Sequence, residues 1–418
     1  MRDFYRKMMV VALLYLAEGL PFGFVYVTLP VYLRSEGVNL IEIGLLSLAG
    51  LSWSLKPLWA PLVDRYGRKY HWMVGALLSL GLSVALLSLV PPAGKLYILF
   101  VFLCTLSSAT LDIAVDGYTI ELLTEEELGP GNGVRVSAYR VAMIGSGGGL
   151  VALSHFLGFK SAFLALTVVF LALAGLVLIL PDTKKPSITQ KTYNIFEQYL
   201  LPLKDFLKRP YALAILFFVL FFKIGDATMG SMIYPFWVDR GFTKLEIGLI
   251  SGTLGSIATI AGSLVGGGLI RYLGLFRALW MLGLTQSLSN LGYAYAALPD
   301  SARWTVYGAS IIESFTGGLG TAAFLAFLMR LCRKDMSASQ YALLSTLFSL
   351  SFTLSRALGG FGAEYLGYAS FFFLTFWISL PPLLLVPLVI KAVPPEEAHQ
   401  NIGKGLDGDE VQGQPGKP

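Results

Sequence analysis

Glu18, Lys56, Asp112, Asp116, Arg140, Lys223, Asp226, Glu313 and Arg356 each interrupt an otherwise apolar run. A charge near a bilayer centre costs at least about 2.5–3.5 kcal/mol on insertion scales, so such residues mark sites or water-filled passages. Asp112 and Asp116 share one helical face. Neighbouring carboxylates resist ionising together, which makes Glu18, Asp112 and Asp116 candidates for carrying a proton. The competing assignment is a fixed bridge from Asp116 to Arg140 or Lys56. Lys223 and Asp226, one helical turn apart, could simply neutralise each other. Glu18 precedes Gly19-Leu20-Pro21, where the proline frees a carbonyl and permits a kink. Glu313 precedes Gly317, Gly318 and Gly320, and Arg140 precedes Gly145, Gly147, Gly148 and Gly149. These glycines suit close helix packing or bending better than a phosphate cradle, because no strand precedes them. Cys104 and Cys332 offer no disulfide framework and no metal-ligand spacing, so no cofactor is expected. A polytopic membrane enzyme is the alternative from another class, but no nucleophile-and-base pair supports it.

The elements that position these residues follow from composition. The chain has 418 residues, 55% hydrophobic and only 14% charged, against roughly 25% charged in soluble domains. A water-soluble fold is excluded. A bilayer span needs about 20 apolar residues, and runs of that kind fall at 8–33, 40–62, 72–91, 96–121, 133–157, 160–180, 211–237, 243–270, 275–297, 303–331, 338–365 and 368–391. The fold class is therefore an all-α membrane protein of twelve transmembrane helices in two six-helix bundles, residues 1–181 and 211–393. Residues 182–210 form the linker, with an amphipathic helix over 194–207, and 394–418 a disordered tail. Most of the 31 Lys and Arg fall on one side of these spans, while the other side has only Arg34, Lys95, Lys160, Arg240, Lys244 and Arg303. That asymmetry places both termini in the cytoplasm and explains the net charge of +5 without a nucleic-acid partner.

The halves look duplicated. Gly37-Val38-Asn39-Leu40-Ile41-Glu42-Ile43-Gly44-Leu45 matches Gly241-Phe242-Thr243-Lys244-Leu245-Glu246-Ile247-Gly248-Leu249, and Leu157-Gly158-Phe159-Lys160-Ser161 matches Leu366-Gly367-Tyr368-Ala369-Ser370 at nearly the same offset. Two copies related by an axis along the membrane normal describe a transporter with a midplane site. Spans three, six, nine and twelve hold no interior charge and are expected to face lipid. Spans one, four, seven and ten each hold an acid and are expected to line one cavity.

The loop after span two reads Asp64-Arg65-Tyr66-Gly67-Arg68-Lys69. Asp64, with Arg65, Gly67 and Arg68, is the expected cytoplasmic gate, its carboxylate set against the N-terminal end of span eleven near Ser337. The second copy has Arg271 where the acid would stand.

Twelve spans, two copies and this loop resemble the major facilitator superfamily. Within it the chain is similar to the AmpG muropeptide permeases and the related acetyl-coenzyme A transporters. The similar stretches are Gly19-Leu20-Pro21, Lys56-Pro57-Leu58-Trp59-Ala60-Pro61, Asp112-Ile113-Ala114-Val115-Asp116-Gly117-Tyr118, Tyr139-Arg140, Glu313, Gly317-Gly318-Leu319-Gly320-Thr321 and Gln340-Tyr341-Ala342-Leu343-Leu344-Ser345. Leu111 departs from the pattern, which commonly has Gln there. The resemblance implies a monomeric, proton-coupled importer of anhydromuropeptides, which are sugar–peptide fragments of the cell wall, in a bacterial inner membrane. Acetyl-coenzyme A or another anionic metabolite is the alternative cargo. Arg140, Lys223 and Arg356 could then pair with carboxylates, Tyr15, Phe22 and Tyr118 could stack on sugar faces, and Asp226 and Glu313 would complete the cavity.

Overall fold

The computed structural model describes residues 2–66, 68–92, 94–124, 127–179, 204, 207, 208, 211–332 and 337–391. Among them there is no strand. The 182–210 linker, but for three positions, and the 394–418 tail lie outside the described residues, so the amphipathic helix over 194–207 does too. Among the described residues, eight helices are long and apolar enough to cross a membrane. Two of these, Pro130–Ile179 and Leu343–Val389, run to 50 and 47 residues, too long for one crossing. Each is broken at a glycine in the left-handed region, Gly158 (φ 74°) and Gly367 (φ 71°), a conformation that a Cβ would strain. With these breaks, and with the helical stretches 40–65 and Leu275–Ala296, the architecture is consistent with the twelve expected passes.

Both sequence matches are structural matches. Asn39 and Thr243 each cap a helix by accepting the backbone N–H three residues on, from Glu42 and Glu246. Gly37 (φ 84°) and Gly241 (φ 71°) make the preceding turns. Gly158 and Gly367 make the same one-residue turn before spans six and twelve. Two different local devices thus recur in the same order in each half.

Span one meets span five through small residues one helical turn apart. A Cβ on Gly19 would press on the Tyr139 carbonyl and Ala142, and one on Gly23 on Met143 and Ser146, which is how helices approach closely without a hydrophobic driving force. Each of the two spans carries a π-turn, Phe24–Thr28 and Gly145–Gly149. Thr28 Oγ1 shares its proton between the carbonyls of Ser146 (2.7 Å) and Gly147 (3.2 Å) and so ties the two π-turns together. Large apolar side chains of spans three, six, nine and twelve, among them Leu82, Val168, Leu288 and Trp377, are exposed and present an apolar outer surface.

The two halves close on each other at the end opposite the chain termini. Gly148 lies against Gly248 and Gly252, and Gly44 against Ala357 and Gly360, backbone to backbone. Arg34 Nε donates to Asp239 Oδ1 at 2.6 Å, and Tyr368 donates to Asp239 Oδ2 at 2.7 Å. Lys244 Nζ sits 4.4 Å from the centre of the Phe159 ring. Asp239 is thus the shared anchor of an inter-half clasp. Asp239→Ala is expected to raise the labelling rate of a cysteine placed at Ser47 by membrane-impermeant thiol reagents added from that side. Unchanged labelling would show that the clasp does not hold this end shut.

Candidate functional site

Spans one, four and five meet in the N-terminal half around Tyr15. Its ring is fully buried, its hydroxyl donates to Asp116 Oδ1 at 2.7 Å, and the Arg135 guanidinium lies 4.6 Å above it. Arg135 Nη2 also reaches Asp116 Oδ1 at 3.1 Å. The cation of Asp116 is therefore Arg135, where the sequence offered Arg140 or Lys56. The reason is helical phase. Arg135 and Tyr139 are one turn apart and face span one, whereas Arg140 is rotated about 100° from Tyr139 and is exposed. Lys56 instead approaches Asp112, Nζ to Oδ2 at 3.7 Å. It stands in a 3₁₀ turn, Lys56–Leu58, that breaks span two before Pro57. Glu18 is buried against the same group of charges. Its Oε2, like Asp112 Oδ1, has no hydrogen-bond partner among the described residues.

The charges of this patch do not balance. Glu18, Asp112 and Asp116 face Lys56 and Arg135, leaving one negative charge in excess when every group is ionised. Two cations are held by the two aspartates, and Glu18 has no ion pair of its own among the described residues.

In the C-terminal half span seven is broken into Ala212–Phe221, Ile224–Gly230 and Ile233–Asp239. The first break falls at Lys223, whose ammonium donates to Gln286 Oε1 (2.8 Å), Asp226 Oδ2 (3.2 Å) and the Gly317 carbonyl (3.2 Å). Three acceptors use all three of its protons. Lys223 and Asp226 do meet, but as part of a network that sequence spacing did not show. A Cβ on Gly320 would collide with the Gln286 amide, so the glycine makes room for the group that holds Lys223. Asp226 lines a separate, smaller pocket with Phe222, Gln286, Ser287, Asn290 and Ser379, inside the C-terminal half. Glu313 is half-buried on span ten beside Ser314, whose hydroxyl lies 3.4 Å from Oε2.

Between the halves lies a small cavity bounded by Tyr26, Leu29, Ile43, Ser47, Ser231 and Arg356. Arg356 is buried, with its guanidinium 4.8 Å above the Tyr26 ring. Phe22, Tyr26 and Trp53 form a continuous aromatic surface, with ring centres 4.5 to 5.7 Å apart. Of the expected sugar-stacking residues, Phe22 belongs to this surface. Tyr15 is enclosed by Asp116 and Arg135, and Tyr118 is buried.

Of the expected gate, Gly67 and the side chains of Asp64 and Arg65 lie outside the described residues, and Arg68 is exposed. Lys69 ends that loop with an ion pair to Glu121 at 2.7 Å, and Trp72 Nε1 donates to the Tyr66 carbonyl at 2.6 Å. Elsewhere on this side, Lys7 Nζ donates to Glu127 Oε2 at 2.8 Å. This bond, with the Thr124 backbone N–H, holds the Glu127 carboxyl below its usual range, so the tie persists as pH falls through ordinary carboxylate values.

Comparison with known proteins places this arrangement. The sequence model of the Major Facilitator Superfamily matches residues 11–355. The chain is 33% identical over 387 residues to the anhydromuropeptide permease of Escherichia coli (strain K12), covering 90% of this chain and 78% of the relative. Among solved structures it is similar to a bacterial homologue of the human lysosomal transporter Spinster, inward-facing and unoccupied, with TM-score 0.75 and 12% identity over 94% of this chain and 99% of that one. The nucleoside transporter NupG matches with TM-score 0.75 and 12% identity over 94% and 100%. At these identities the two structures speak for the fold alone. The chain is a membrane transporter, not an enzyme, and belongs to the Major Facilitator Superfamily.

Proposed function

We propose that the protein is a monomeric, proton-coupled importer of anhydromuropeptides in a bacterial inner membrane, working by alternating access with both termini cytoplasmic. The observation that carries the cargo is the identity to an anhydromuropeptide permease over nine-tenths of the chain. Coupling is supported by the single excess negative charge of the Glu18–Asp112–Asp116 patch, which one proton would neutralise. Burying an uncompensated charge is costly, so the protonated patch is the one suited to a closed, dehydrated passage, and the ionised patch to one open to water. Glu18, without an ion pair of its own among the described residues, is the proposed carrier. Asp112 is loosely held by Lys56, and Asp116 is fixed by Tyr15 and Arg135. In this reading the Asp64–Arg68 loop closes the cytoplasmic side and the Asp239 clasp the other.

The cargo is tested by a thermal-shift screen of the purified chain against anhydromuropeptides, acetyl-coenzyme A and other anionic metabolites. A shift with muropeptides alone is expected. A shift with acetyl-coenzyme A and none with muropeptides would replace the cargo.

A further inference from the structure

We propose that Arg356 and Tyr26 form an anion subsite that takes a terminal carboxylate of the transported molecule, while the aromatic surface of Phe22 and Trp53 takes an adjoining sugar face. This rests on the cargo reading above and adds to it where and how the cargo is held.

Arg356 is a buried guanidinium with Nε lacking a hydrogen-bond partner and no carboxylate within ion-pairing distance among the described residues. The Tyr26 and Phe352 rings, at 4.8 and 5.8 Å, attract its charge but accept none of its in-plane N–H donors. A buried cation in that condition calls for an acceptor. A water-sized void lies beside it, between the two halves. The cavity has apolar walls from Val25, Leu29, Ile43 and Leu46, with Ser47 and Ser231 as its small polar groups. Glycines flank it on both sides. A Cβ on Gly230 would stand 3.5 Å from the Arg356 guanidinium, and one on Gly50 would strike the Tyr26 hydroxyl.

Size and charge narrow the occupant. In this arrangement of the halves the cavity has room for about one water, so it takes only the terminal group of a sugar–peptide, and takes it as the halves part. One guanidinium matches a carboxylate in bidentate fashion. A phosphate dianion would bring more acceptor oxygens than Arg356, Ser47 and Ser231 satisfy. Low-dielectric walls strengthen the ion pair and favour a carboxylate beside a small apolar group. Trp53, half-buried and pinned by its indole N–H to Ser108 at 3.2 Å, continues the surface of Tyr26 and Phe22 and offers a flat apolar face of the kind that sugar rings cover. Tyr26 belongs to the first half of the chain and Arg356 to the second, so a ligand between them contacts both halves at once.

The experiment is a calorimetric titration of the full-length purified chain with an anhydromuropeptide ending in a free carboxylate and with its C-terminal carboxamide. Wild type is expected to prefer the carboxylate by about tenfold or more. Arg356→Gln is expected to reduce that preference to roughly twofold or less, and Arg356→Lys, which keeps the charge, to retain more of it. An Arg356→Gln protein that melts like wild type and still prefers the carboxylate overturns the subsite. If Arg356→Gln does not fold, Tyr26→Leu is read in its place, with the same loss expected and an undiminished preference counting against the proposal. If wild type binds neither sugar–peptide, the cargo reading fails, and the subsite is decided with N-acetylalanine against its amide at millimolar concentration. Discrimination that disappears in Arg356→Gln supports the subsite, and its absence in wild type overturns it.

Discussion

Glu18→Gln is expected to abolish accumulation of muropeptide against its gradient while leaving exchange across the membrane intact. The glutamine preserves the shape of the side chain and fixes its charge at zero, the state that the protonated acid would have. The remaining patch of Asp112, Asp116, Lys56 and Arg135 is then balanced, and the cycle no longer needs a proton to become neutral. In proteoliposomes with an imposed pH gradient, the variant should equilibrate labelled muropeptide to no more than the outside concentration, yet catalyse counterflow near the wild-type rate. Gradient-driven accumulation by Glu18→Gln would remove Glu18 from the coupling path. Asp116→Asn differs from it in kind, because Asp116 holds Tyr15 and Arg135 in place and its loss also leaves a cation without its partner.

Lys223→Met carries the largest expected cost in stability. Side chains of Lys223 and Asp226 are only 5% and 18% exposed, and removing the ammonium leaves Asp226, Gln286 and the Gly317 carbonyl without their shared donor. Breaking a buried pair from one side costs about 3–5 kcal/mol, whereas replacing both partners by apolar groups is often neutral. Unfolding in detergent should therefore show a large loss for Lys223→Met and a substantial recovery in Lys223→Met with Asp226→Leu. A single variant as stable as wild type would show that the network contributes little to holding spans seven, nine and ten together.

The fold was largely legible because its causes are local. Apolar runs set the spans, and Gly37, Gly158, Gly241 and Gly367 mark turns whose backbone only glycine adopts readily. Much of the site was not, because it depends on which way a helix faces after packing. Arg135 stands so near the start of the expected span 133–157 that it does not interrupt an apolar run, yet its helix begins at Leu128 and carries it one turn before Tyr139 against span one. The spacing of Arg135 and Tyr139 was the available signal. Arg140, one residue beyond, was singled out and is exposed. Gln286 and the Gly317 carbonyl are neutral, so a search for charges in apolar runs passes over them. Tyr26 and Trp53 look like any span aromatics until Arg356, from the other half of the chain, is placed beside Tyr26.

The central claim, that sugar–peptide and proton cross together between the two halves, is tested most directly by luminal pH in proteoliposomes that start with equal pH on both sides. With the wild-type protein, adding an anhydromuropeptide outside is expected to acidify the lumen as the compound enters. Entry of the labelled compound with no change in luminal pH would contradict the account.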